Sequence, residues 1–232
     1  MNKSFDKDNR IEKPKVLFVG AHPGDVELGC GGTIAVLNNL GYGVQIIYAT
    51  KGGKGKVPGD GPEVRVKESI RACVKLGADR RKIFFGDFED TRVPDSFAMI
   101  SFLEELFLRA QNTYAVFIPS IHEVHQDHRA VAIAGLTAFR NAHRVFAYES
   151  PSTTAAFCPT SFVDISGFLK DKWDALKCHE SQIAQRRMYM EYKAMLRISS
   201  FRGRQIGVKY AEAFETVKCL IEPNLYLGKE RR

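Results

Sequence analysis

Short apolar runs alternate with helix-length segments through the first two thirds of this chain. Val16-Leu17-Phe18-Val19 is the first run, and residues 44–49, 83–85, 115–119 and 145–148 repeat the type. Between them, residues 33–40, 63–76, 95–112 and 130–141 read as helices. Segment 63–76 carries Val66, Ile70, Cys73 and Val74 at helical spacing, and segment 95–112 carries Phe102, Leu103, Leu106 and Phe107. This alternation implies βαβ units: an α/β fold with a mostly parallel sheet flanked by helices on both faces. After about Pro151 the pattern changes. Residues 162–165 read as an edge strand, 169–191 as one long helix with Trp173, and the stretch from Arg202 to Ile221 as mixed. At 232 residues, one domain over 14–232 is expected, behind a flexible leader at 1–13.

Composition narrows the class. Hydrophobic content of 44% and charged content of 26% belong to an ordinary globular protein. No apolar run approaches the roughly 18–20 residues that span a bilayer. The N-terminus is charged and lacks a signal-peptide core. A cytoplasmic location and no membrane partner are expected. The net charge of +7 comes from dispersed basic residues, and the densest groups, Arg186-Arg187, residues 51–56 and residues 229–232, form no long stripe, so no nucleic-acid partner is expected. Five cysteines, odd in number and without a C-x-x-C pair, argue against a disulfide framework or a thiolate zinc site. Cys30 reads as a small buried apolar residue.

Chemistry concentrates in two segments. Directly after the first run comes Ala21-His22-Pro23-Gly24-Asp25-Val26-Glu27, followed by Gly29, Gly31, Gly32 and Thr33. The glycines read as a tight turn into a helix from Thr33 onward. His122-Glu123-Val124-His125-Gln126-Asp127-His128 follows the run 115–119 and holds four of the six histidines together with His22. In a parallel sheet both segments open on the same edge, where ligands bind. There His22, Asp25, His125, Asp127 and His128 can converge. Two imidazoles and a carboxylate with an open position suit a catalytic zinc or another divalent metal. A single loop histidine satisfied by backbone would be unremarkable; two clusters at equivalent strand ends favour the metal.

The two segments resemble the signature of the LmbE-like, or PIG-L-type, zinc-dependent N-acetylglucosamine deacetylases. Their first motif is A-H-P-D-D followed by a Glu and G-G-T, and their second is H-x-D-H. The resemblance extends through Arg65-Val66-Lys67-Glu68, Tyr148-Glu149-Ser150-Pro151-Ser152, Phe162-Val163-Asp164-Ile165, Lys172, His179-Glu180-Ser181-Gln182 and Tyr210-Ala211-Glu212-Ala213-Phe214, covering roughly residues 14 to 220. It implies a Rossmann-like fold with Zn2+ held by His22, Asp25 and His128. It further implies hydrolysis, by zinc-bound water, of the acetyl amide of an N-acetylated amino sugar or its conjugate. His125 would then serve the tetrahedral intermediate or the leaving amine, and Asp127 would orient His125 and raise its pKa. Arg65 corresponds to a substrate-contacting arginine, with a surface ion pair to Glu68 as the alternative. The implied partner is a small-molecule amino sugar. Family members often form homo-oligomers, but nothing in this chain fixes an assembly.

One position departs from the pattern. Gly24 stands where the family has its first Asp, the general base, a group worth roughly 10²–10⁴-fold in rate. Another carboxylate (Glu27, Asp127, Asp87 or Asp90) could replace it, or metal-bound hydroxide could suffice without one. The alternative is a weakly active or inactive homologue retained for metal and sugar binding. Glu27 could equally cap a helix or meet its dipole.

Overall fold

The computed structural model describes residues 13–54 and 61–221. The expected N-terminal leader, the centre of the loop at 51–62 and the basic tail at 229–232 lie outside the described residues, apart from the leader's last residue and the two ends of that loop.

Strands β1 (Lys15–Gly20), β2 (Gly43–Tyr48), β3 (Ile83–Phe85), β4 (Thr113–Pro119), β5 (Arg144–Tyr148), β6 (Ser161–Asp164) and β7 (Ala211–Cys219) form a seven-stranded sheet in the order β3-β2-β1-β4-β5-β7-β6. The first five run parallel, and β7 inserts antiparallel between β5 and the edge strand β6. Alternate residues of β1 face opposite ways, as strand geometry dictates. Val16 and Phe18 join one buried cluster with Val26, Cys30 and Ile34 of α1 (Asp25–Asn39) and Cys73 of α2 (Pro62–Lys75). Leu17 and Val19 join another with Leu103 of α3 (Phe97–Ala110) and Val131 of α4 (Gln126–Ala138). The sheet is thus covered on both faces, as the alternation implied.

The chain builds β1-β2-β3 outward in one direction, then returns to place β4 and β5 on the other side of β1. The C-terminal ends of β1 and β4 are therefore neighbours at a topological switch point, the usual ligand site of an open parallel sheet.

Three sequence expectations need correction. Helix α1 starts at Asp25, not Thr33, so Gly29, Gly31 and Gly32 lie inside it rather than in a turn. Their role is packing. A Cβ on Gly29 would lie 2.3 Å from Tyr148 Cδ2, and one on Gly32 would lie 2.6 Å from Ile165 Cγ2. Along this bare flank Glu212 of β7 accepts from Gly32 N at 2.8 Å and Thr33 N at 2.7 Å, and from the buried Lys172 Nζ at 2.6 Å.

Helix α4 starts at Gln126, not residue 130, which puts Asp127 and His128 in its first turn. The expected long helix at 169–191 is broken into α5 (Leu169–Leu176), α6 (Glu180–Ala184) and a 3-10 turn at Met188–Met190. The break sends His179 inward to Glu27 and lets Ser181 donate its N–H and Oγ to Glu68, both at 2.7 Å. Among the described residues no helix is long and apolar enough to cross a membrane.

Candidate metal centre and active site

His22 lies two residues past the end of β1, and Asp25 opens α1 as the last residue of a turn closed by its own N–H donating to His22 O. His128 comes from the first turn of α4. Asp25 Oδ2 lies 3.4 Å from His22 Nδ1 and 3.2 Å from His128 Nε2. A tetrahedral zinc with bonds of about 2.0–2.1 Å holds neighbouring donors about 3.3 Å apart. The three expected ligands are together, His22 and His128 buried and Asp25 partly so, with their donor atoms all within 4.8 Å of one another. The donor chemistry fits a divalent metal with one position open for substrate.

The outward nitrogens of both rings meet carboxylates. His22 Nε2 is 3.0 Å from Asp127 Oδ2 and 3.1 Å from Asp90 Oδ1, and His128 Nδ1 is 3.3 Å from Glu123 Oε2. Such partners fix a ligand's tautomer, leaving the other nitrogen's lone pair for the metal. Glu123 also accepts from the Ser152 and Thr153 hydroxyls, and Asp127 accepts from Thr91 N at 2.7 Å and Val93 N at 3.2 Å. Burial opposes charge on both imidazoles. Hydrogen bonds to the Asp127, Asp25 and Asp90 carboxylates outweigh it at His22, whose pKa lies well above the ordinary value. The Asp25 charge and hydrogen bond, with Glu123, lift His128 to about 9 against the same burial. Asp25 is held well below the carboxylate range, its burial overcome by His128 and His22.

His125 differs from its sequence expectation. The Asp127 carboxylate serves His22 and the 91–93 backbone, whereas His125 caps α4 by accepting Asp127 N on Nδ1 at 3.2 Å. Its pKa is lowered overall, by burial first and then by the neighbouring His128 and His22, which together outweigh the upward pull of the Asp127 and Asp25 charges. With Nδ1 accepting, the neutral ring carries its proton on Nε2 and is a hydrogen-bond donor.

The metal cluster opens on a cavity of about 430 Å³ bordered also by Gly24, Arg65, Asp90 and His179. A second cavity of about 450 Å³ shares Leu28, Ser150, Pro151 and Tyr189 with it. Arg65 is buried and donates to Pro23 O at 2.5 Å, bracing the first motif, while Glu68 is occupied by Ser181. The surface ion pair with Glu68 does not form.

Of the carboxylates considered in place of the missing Asp, Asp87 is exposed and paired with Lys51. Glu27 is fully buried among Tyr48, Ser69 and His179. Asp90 alone of the unassigned ones borders the cavity, held at about 2 by its bond to His22. Sequence reasoning missed Glu123, and nothing in its spacing marks it as the partner of His128. Cys30 is fully buried with its thiol pushed up by burial, matching a structural role.

Comparison with known proteins identifies the family. The family profile "PIG-L: GlcNAc-PI de-N-acetylase" matches residues 17–139. The chain is 34% identical to the uncharacterised deacetylase YaiS of Escherichia coli over 72% of its own length and 90% of the relative's. It is 30% identical to diacetylchitobiose deacetylase of Thermococcus kodakarensis, covering 90% of this chain and 87% of that one. The solved N,N'-diacetylchitobiose deacetylase of Pyrococcus horikoshii superposes with a TM-score of 0.75 at 25% identity, over 96% of this chain and 89% of that one. This chain belongs to the PIG-L, or LmbE-like, deacetylase family.

Proposed function

We propose that the protein is a metal-dependent hydrolase that removes the acetyl group from an N-acetylated amino sugar or a conjugate of one. The observation that carries this reading is the Asp25 oxygen set at tetrahedral-ligand spacing from His22 Nδ1 and His128 Nε2. Family membership supports the deacetylation, and two relatives are named for diacetylchitobiose. A divalent metal held by His22, Asp25 and His128 supplies Lewis-acid polarisation of the amide carbonyl and activation of water.

The chain's own residues do the rest. His125 directs its Nε2–H at the oxygen or leaving nitrogen of the scissile amide. Arg65, braced on Pro23 O, borders the cavity and contacts the sugar. The adjoining 450 Å³ cavity leaves room for the group to which the sugar is joined.

The test is release of primary amine when the zinc-loaded protein meets a panel of N-acetylglucosamine derivatives. Amine from at least one member is expected. A folded, zinc-loaded protein that releases none from the panel is instead a metal- and sugar-binding homologue, the reading that Gly24 favours.

A further inference from the structure

We propose that His179 is the general base of this enzyme, taking the place of the carboxylate that the chain lacks at position 24; this rests on the deacetylase reading above. A Cβ built on Gly24 would lie 3.6 Å from His179 Cε1 and 3.7 Å from its Nδ1. The imidazole therefore stands beside the space that an aspartate side chain at position 24 would enter. Both residues border the 430 Å³ cavity.

The hydrogen bonds of the buried cluster set the ring's polarity. His179 is fully buried, with Nε2 3.0 Å from Glu27 Oε1. Tyr48 Oη donates to Glu27 Oε2 at 2.7 Å and Ser69 Oγ donates to Oε1 at 2.8 Å, so Glu27 acts as the acceptor of this network. His179 then donates through Nε2–H, and the neutral ring carries its lone pair on Nδ1. Among the described residues that buried Nδ1 has no hydrogen-bond partner. Buried polar atoms without partners are rare and call for a ligand or a role. Glu27 is the positioning residue behind it.

Rival groups at the cavity are committed. Asp127 accepts from His22, Thr91 N and Val93 N. Asp90 accepts from His22 and from Lys54 N at 3.1 Å, on the side of His22 away from Asp25. His125 Nδ1 accepts from the Asp127 main chain.

In the reaction, His179 Nδ1 takes a proton from the attacking water as the water oxygen bonds to the amide carbon. The C–N bond then breaks, its electron pair stays on nitrogen, and His179 returns the proton to that nitrogen. The products are a free amine and acetic acid, which ionises. No oxidant or further reactant is required.

The experiment compares native protein with His179→Gln, whose side-chain amide can keep the bond to Glu27 but offers no basic nitrogen. Zinc content and melting temperature should stay unchanged while kcat falls about 10²–10⁴-fold. A loss of only a few-fold overturns the assignment. Should His179→Gln fold poorly, His179→Ala with added imidazole replaces it: restoration of rate supports the base, and no restoration in a folded variant overturns it. Independently of turnover, ¹⁵N-histidine NMR of the metal-free protein should show His179 protonated on Nε2 and bare on Nδ1. The opposite tautomer overturns the proposal. Absence of any amide hydrolysis by native holoenzyme sinks the deacetylase reading itself, whereas full activity in His179→Gln sinks only the base.

Discussion

Asp25 and His128, each in the first turn of its own helix, meet at 3.2 Å across the switch point between β1 and β4. No local interaction brings them together; the strand order does. Removing either donor should therefore empty the site without unfolding the sheet. His128→Ala and Asp25→Asn are expected to lose stoichiometric zinc, measured by plasma mass spectrometry on dialysed protein, with native circular dichroism. Either variant retaining one equivalent would refute the ligand assignment.

Metal affinity should climb with pH. Only a neutral imidazole can ligate, and the metal-free site holds His128 protonated up to about 9 and His22 well above its ordinary value. At pH 7 an incoming ion must expel protons, so apparent zinc affinity rises from pH 6 toward 9 and then levels. Competition titration against a chelating indicator reads the slope. Affinity independent of pH over that range contradicts the electrostatics described.

Lys172 and Glu212 form an ion pair with side chains 4% and 3% exposed, which also ties β7 to the glycine flank of α1. Breaking one side leaves a buried charge without its counter-ion, a loss of about 3–5 kcal/mol in other proteins. Lys172→Met should lower unfolding stability by about that amount in urea titration. A change below about 1 kcal/mol would show that the backbone donors alone satisfy Glu212.

Gly24 sits at φ 107°, ψ −25°, a conformation that side chains rarely adopt. Restoring the family's aspartate with Gly24→Asp should therefore strain the turn by about 1–3 kcal/mol. Thermal denaturation checks this, and a variant as stable as the native protein would mean that the turn relaxes at no cost.

Much of this site was legible beforehand because its meaning lies in position. His22 and Asp25 follow a buried strand, His128 follows an equivalent one, and parallel strands must present both at one edge. The illegible parts depend on partners remote in sequence. Gly29, Gly31 and Gly32 read as a turn because glycine runs usually are one; only Tyr148, Ile165 and Lys172 pressing on α1 reveal them as packing positions. Asp127 reads in sequence as the partner of His125 in its own motif, yet its first-turn place in α4 aims it at His22. His179 was hidden inside an expected long helix whose break is driven by Glu27 and Glu68, residues with no sequence signal connecting them to it.

The most direct measurement of the central claim is acetate release from an N-acetylated amino-sugar substrate by one protein preparation in three states: as purified, stripped of metal by chelation, and reloaded with zinc. The account predicts acetate from the first and third, and none above background from the second. Equal release from the stripped protein, or none after reloading, would contradict it.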